Sequence, residues 1–311
     1  MTDTESEGAS SPSAPSIPVI AGESSEEPQP TPPVGPDGDL EHSDPAAVEP
    51  DDPRKSLPRV IAVANQKGGV GKTTTTVNLS ACLAELGHRT LVVDLDPQAN
   101  ASTGLGIDPR SLEASMYDVV LRDFPMEDCI EPTGVPNLFV APSSLDLAGA
   151  EIELVPVFSR EQKVRRAIES VLDDYDYVFI DCPPSLGLIT VNGLTAASEV
   201  LVPIQCEYYA LEGLGQLLRN VDLVRQNLNP SLHVSTIVLV MYDARTKLSA
   251  QVADEVRSHF GPKVCRQVIP RSVRLSEAPS YGLPISSFDP GSRGAIAYRT
   301  LAEEVNAHVA S

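Results

Sequence analysis

Residues 59–311 predict a single α/β domain, a doubly wound and mostly parallel sheet with helices on both faces. Three observations carry this. Short apolar runs rich in β-branched residues alternate with helical patterns. A glycine-rich turn separates the first run from the first helix. Aspartates close two of the later runs.

The elements follow in order. Residues 60–64 (VIAVA) form a buried strand and lead at once into the glycine-rich turn. Residues 73–86 are helical, with Val77, Leu79, Cys82, Leu83 and Leu86 near helical spacing and Gly87 as the stop. A second strand at 90–93 (TLVV) ends in Asp94-Leu95-Asp96-Pro97, and 137–141 suggests a third. An amphipathic helix over 160–172 feeds the strand 177–180 (YVFI), which ends in Asp181. Strands at 199–204 and 236–240 complete the sheet. Helices near 211–228 and 247–260 lie between and after them, and a final helix covers about 293–309.

Charge divides the chain. Its 311 residues carry 43 acidic and 23 basic side chains, a net of -20. Residues 1–58 hold 13 acidic and 2 basic residues, a net of -11, and 12 of the 28 prolines. So few large apolar groups cannot offset ordering entropy, and 1–58 is expected to be a disordered, acidic, Pro-rich tail. The average charge argues against coating nucleic acid through bulk attraction. No run approaches the roughly 18 apolar residues of a spanning helix, and no secretory leader is visible. Five dispersed cysteines without a C-x-x-C pair fit reduced thiols in a cytoplasmic protein.

The strongest chemical signal is Gln66-Lys67-Gly68-Gly69-Val70-Gly71-Lys72-Thr73-Thr74 between strand and helix. Glycines let backbone N–H groups converge on phosphates, and the helix N-terminus adds a favourable dipole. Lys72 is placed to neutralise the β- and γ-phosphates and Thr73 to ligate Mg²⁺. Ligands of open α/β sheets bind at the carboxyl ends of strands, which sets Asp94, Asp96 and Asp181 beside that loop.

The usual phosphate loop has glycine where Gln66 stands and no lysine at position 67. This K-G-G-x-G-K-T version resembles the deviant Walker A loop of the ParA/MinD superfamily. The segments 65–102, 175–214 and 268–285 resemble chromosomal ParA (Soj-type) partition ATPases over nearly all of 59–311. The tail has no counterpart in that family core.

The resemblance implies ATP hydrolysis with Mg²⁺ in a nucleotide-sandwich homodimer. Lys67 reaches the partner's phosphates in trans, and Gly68 permits close approach of the subunits. Asp96 positions the attacking water, Asp94 supports the Mg²⁺ shell, and Asp181 holds the ion through a water. Pro270 contacts the base, whereas Ser272 replaces an asparagine common in relatives. A ParB-type centromere-binding protein stimulates hydrolysis. A MinD-type chain would end in a basic amphipathic helix, but 299–311 carries Glu303 and Glu304, so no membrane partner is expected. Cys182 lacks a second cysteine in matching context for an iron–sulfur cluster.

Residues 240–300 hold 9 basic and 5 acidic residues, a local +4. Arg245, Lys247, Arg271, Arg274 and Arg293 lie in or beside expected loops. The resemblance assigns such residues to non-specific double-stranded DNA, with Arg245 and Arg274 the best positional matches and a nucleoid location implied. Two other readings stay open: a cargo-positioning scaffold timed by ATP, and a metabolic ligase or kinase on the same fold.

Overall fold

The computed structural model describes residues 57–207 and 210–307. The expected tail lies outside the described residues except for Leu57 and Pro58, as do the last positions of the expected final helix.

Eight strands form one sheet: β1 (Arg59–Val63), β2 (Thr90–Asp94), β3 (Glu131–Pro132), β4 (Leu138–Ala141), β5 (Tyr177–Asp181), β6 (Glu199–Gln205), β7 (His233–Tyr242) and β8 (Val264–Pro270). Their spatial order is β3-β4-β2-β5-β1-β6-β7-β8, and all neighbours are parallel except β3 against β4. The helices are α1 (Lys72–Glu85), α2 (Asn100–Gly104), α3 (Met116–Arg122), α4 (Met126–Cys129), α5 (Leu147–Glu153) and α6 (Lys163–Glu169). They continue with α7 (Leu188–Ala196), α8 (Ala210–Asn227), α9 (Lys247–Phe260), α10 (Val273–Glu277), α11 (Ile285–Phe288) and α12 (Arg293–Ala307).

All five residues of β1, β2 and β5 are buried, because both sheet faces are covered. Val60 and Ala62 enter one core with Val178, Ile180 and Val202. Ile61 and Val63 enter the opposite core, where Leu79 and Leu83 of α1 meet Tyr298 and Leu301 of α12. Register aligns the strand ends: Val63 pairs with Asp181, and Asp94 pairs with Asp181. The two aspartates therefore stand side by side at the carboxyl edge.

The six expected strands are present, and β3 and β8 are additional. β8 hid because Arg266 and Gln267 interrupt its apolar run. As an edge strand it needs only partial burial, and Glu304 of α12 covers it. The Glu304 carboxylate accepts from the Arg266 and Gln267 N–H groups at 2.7 and 3.0 Å.

At the amino ends of the central strands β1 and β6, Arg59 Nε and Nη2 donate to the Glu199 carboxylate at 2.7 and 2.6 Å. Its Nη1 donates to Val305 O at 2.9 Å, tying β1, β6 and α12 together. Burial opposes ionisation of Glu199, but the Arg59 fork holds its carboxyl below the usual range. A depressed pKa means the pair's stabilisation is present near neutrality and lost on acidification. Arg59→Leu is expected to strand Glu199 in the interior at a cost of about 3–5 kcal/mol, read as a lower urea midpoint. An unchanged midpoint contradicts this.

Candidate functional site

The turn after β1 is built by two glycines that need the left-handed region, Gly69 at φ +72° and Gly71 at φ +79°. Asn65 fixes its base: the amide donates to Pro203 O at 2.8 Å, and the side-chain oxygen accepts from Lys67 N–H at 3.0 Å. α1 begins at Lys72 with no side chain capping it, so its first-turn N–H groups face the loop. That is a ready anion cradle.

The two loop lysines occupy opposite environments. Lys72 is buried, and its Nζ donates back to Lys67 O at 3.5 Å. Burial lowers its pKa, and Asp181, Cys182 and Asp96 oppose that shift. Lys67 is exposed at the rim, with Nζ 3.3 Å from the Glu207 carboxylate.

Thr73 Oγ1 donates to Asp181 Oδ2 at 2.7 Å, and Thr76 Oγ1 donates to Oδ1 at 3.0 Å. Burial pushes the Asp181 carboxyl up, and neighbouring Asp94 pushes it further, while the two threonines oppose the shift. Asp94 is also raised by burial. Its oxygens are already engaged, Oδ1 by Asp96 N–H at 3.1 Å and Oδ2 by Ser102 N–H and Oγ at 2.9 and 2.7 Å. Asp94 thus braces the loop that carries Asp96. Asp96 itself is nearly buried and accepts from Gln98 N–H at 3.0 Å.

Asp181 and Asp96 act on the buried Lys72 ammonium and Asp94 crowds Asp181, an arrangement that a divalent cation relieves. Among the described residues no group of three or more His, Cys, Asp or Glu side chains forms a metal cage. Mg²⁺ is ordinarily held by one or two carboxylates plus substrate phosphates, so this donor set fits that ion. All five cysteines are buried and unpaired, and burial raises the Cys182 thiol pKa.

A second feature opens beyond the ends of β7 and β8. Arg245, Pro270, Arg271, Ser272, Arg274 and Arg293 line one cleft of about 700 Å³. Lys247 stands exposed at the start of α9 and does not line it. Arg245 forks onto Asp243 at 2.9 and 2.8 Å, hydrogen bonds that hold the Asp243 carboxyl down at about 2. Arg274 pairs with Glu277 at 2.9 Å and Asp289 at 3.2 Å. Such exposed pairs contribute little, so a phosphate can displace them.

Contacts unseen in the sequence join cleft and loop. Asn78 of α1 accepts from Ile285 N–H at 2.6 Å. Thr75 and Tyr298 share a hydrogen bond of 3.3 Å. Gly106, beyond α2, meets Gly282 so closely that a Cβ on Gly282 would fall 2.9 Å from the Gly106 Cα. The cleft-bearing segment is therefore packed on both α1 and the segment that follows Asp96.

The family model for an AAA domain matches residues 58–234. The sporulation initiation inhibitor protein Soj of Bacillus subtilis is 57% identical over 250 residues, covering 80% of this chain and 99% of Soj. The chromosome partitioning protein ParA of Myxococcus xanthus is 50% identical over 247 residues, covering 79% of this chain and 87% of ParA. A solved structure described as cobyrinic acid a,c-diamide synthase from Mycobacterium smegmatis, with bound ADP and magnesium, is 41% identical. It matches with a TM-score of 0.71 and covers 81% of this chain and 95% of that one. With its P-loop NTPase fold, deviant phosphate loop and these identities, the chain belongs to the Soj/ParA family of chromosome-partitioning proteins.

Proposed function

We propose that this chromosome-partitioning ATPase is a nucleotide-operated DNA switch, in which ATP closes a two-subunit sandwich that holds DNA and a ParB-type partner triggers hydrolysis and release. The observation that carries the reading is the pair of loop lysines, one buried under the loop and one exposed at its rim. Lys72 serves its own subunit's phosphates. Lys67, released from a weak surface pair with Glu207, reaches across to the partner's.

Hydrolysis here is mainly positioning and charge stabilisation. The loop N–H groups and Lys72 hold the phosphates. Mg²⁺, when bound, neutralises charge on the β- and γ-oxygens; Thr73 and Asp181 are the residues that hold it. Asp96 orients the attacking water, and Asp94 acts on the metal shell only by bracing Asp96. Pro270 borders the base, and Arg245, Arg271, Arg274 and Arg293, with Lys247 nearby, meet DNA phosphates. Doubling this cleft in a dimer makes DNA binding follow ATP binding.

The name of the M. smegmatis structure favours a second reading, a synthase that couples ATP to an organic-acid substrate. Higher identity to Soj and ParA supports segregation. Turnover stimulated by DNA and the partner, without any such substrate, separates the two.

Lys72→Ala is expected to lose nucleotide binding. Asp96→Ala is expected to keep ATP and DNA binding while turnover falls at least about 100-fold. Normal turnover in that variant refutes the role given to Asp96.

DNA retention is expected with ATP and to fall away with ADP or no nucleotide; equal retention in all three contradicts the switch. Affinity should fall steeply with salt. Arg245→Ala and Arg274→Ala should each flatten the log–log slope by about 2, since each removes two phosphate contacts per dimer. An unchanged slope removes that arginine from the interface.

A further inference from the structure

The loop that carries Asp96 is closed on itself by the Asp94 carboxylate. Asp94 Oδ1 accepts from Asp96 N–H at 3.1 Å, and Oδ2 accepts from Ser102 N–H at 2.9 Å and Ser102 Oγ at 2.7 Å. Residues 94–102 therefore form a ring that starts and ends on one side chain. Ala99 makes the return possible. It sits in the left-handed region at φ +50°, and its N–H donates to Asp96 O at 2.9 Å. A residue with a Cβ stays in that region only where its surroundings hold it there. Gln98 N–H then engages Asp96 Oδ1 at 3.0 Å, which orients the carboxylate itself.

Ser102 ties this ring to the sheet. Its hydroxyl gives its one hydrogen to Asp94 and accepts from Ser143 N–H at 3.1 Å, so the rotor is fixed from both sides. Ser143 lies just past β4, which pairs in parallel with β2 through Val93 and Ala141. Ser102 and Asp94 are both fully buried, so bulk water does not compete for these bonds. Satisfying Asp94 does not by itself require the hydroxyl, because the Ser102 N–H already serves Oδ2. What the hydroxyl adds is direction. A planar carboxylate fixed at Oδ2 is also fixed at Oδ1, and with it the Asp96 N–H bonded there.

We infer that Ser102 is a positioning residue for ATP hydrolysis, aiming Asp96 through Asp94, an assignment that rests on the role proposed above for Asp96. The contacts run from Ser143 N–H to Ser102 Oγ, to the Asp94 carboxylate, to Asp96 N–H. Alanine at 102 keeps the helix and the backbone N–H but frees the Asp94 carboxylate to turn. Hydrolysis by positioning is sensitive to such a change, since a misplacement of about 1 Å costs about 100-fold. Ser102 belongs to α2 and not to the phosphate loop, so turnover and ATP affinity separate.

The test uses the full chain, with Ser102→Ala, Ser102→Thr and Ser102→Cys measured alone and Ser102→Ala also combined with Asp96→Ala. Turnover of bound ATP and the dissociation constant for ATP are read separately. Ser102→Ala is expected to lower kcat at least about tenfold while ATP affinity stays within about twofold. Ser102→Thr keeps the hydroxyl and should hold turnover within about threefold of wild type. Added to Asp96→Ala, Ser102→Ala should cost less than about twofold, because a residue acting only through Asp96 has nothing left to aim. An equal loss in both backgrounds overturns the proposal, as does loss of ATP affinity in step with kcat, or a threonine variant no better than alanine. If Ser102→Ala does not fold, Ser102→Cys, similar in size and a weak donor, carries the same comparison alone and with Asp96→Ala. Normal turnover in Asp96→Ala refutes the role of Asp96 and this proposal with it. Wild-type kcat in Ser102→Ala beside an impaired Asp96→Ala refutes this proposal alone.

Discussion

Two carboxylates set side by side where β2 and β5 end are the constraint on which the rest of the site depends. Parallel register makes Asp94 and Asp181 neighbours at the carboxyl edge, in a layer closed to solvent on both faces. Neither can be buried without donors, and the chain supplies them from different places. Thr73 and Thr76 serve Asp181, while Ser102 and the Asp96 N–H serve Asp94. Meeting that need brings α1, the D-x-D-P loop and β5 to one point, with Lys72 as the buried cation. The crowding of negative charge is costly, and a divalent cation offsets it.

Much of this was legible in the sequence because it is local. A glycine-rich turn after an apolar strand, a helix at the required offset and aspartates at strand ends are short-range patterns, and the structure joins them as expected. What stayed hidden is long-range or too short to show a period. Nothing marks Ser102 as the brace of Asp94, Glu207 as the partner of Lys67, or Asn78 as an acceptor for Ile285. α7 spreads Thr190, Asn192 and Thr195 among its apolar residues and carries no amphipathic signal, and α2, α4 and α11 span barely a turn. β8 escaped because of the Arg266-Gln267 pair on an edge strand.

Charge is distributed with a consistent logic. A formal -20 describes no single surface of the molecule. Arginines gather beyond β7 and β8, whereas Asp94 and Asp181 stand at the carboxyl ends of β2 and β5. The Asn78–Ile285 hydrogen bond and the close approach of Gly106 to Gly282 pack the arginine-bearing segment against α1 and the chain that follows Asp96.

The division of labour between Lys72 and Lys67 is the central claim, and sedimentation of the full chain with and without ATP tests it most directly. The wild type should double its mass with ATP. Lys67→Ala should still bind ATP yet remain a monomer, and Lys72→Ala should do neither. A Lys67→Ala variant that doubles its mass as readily as the wild type would contradict the assignment.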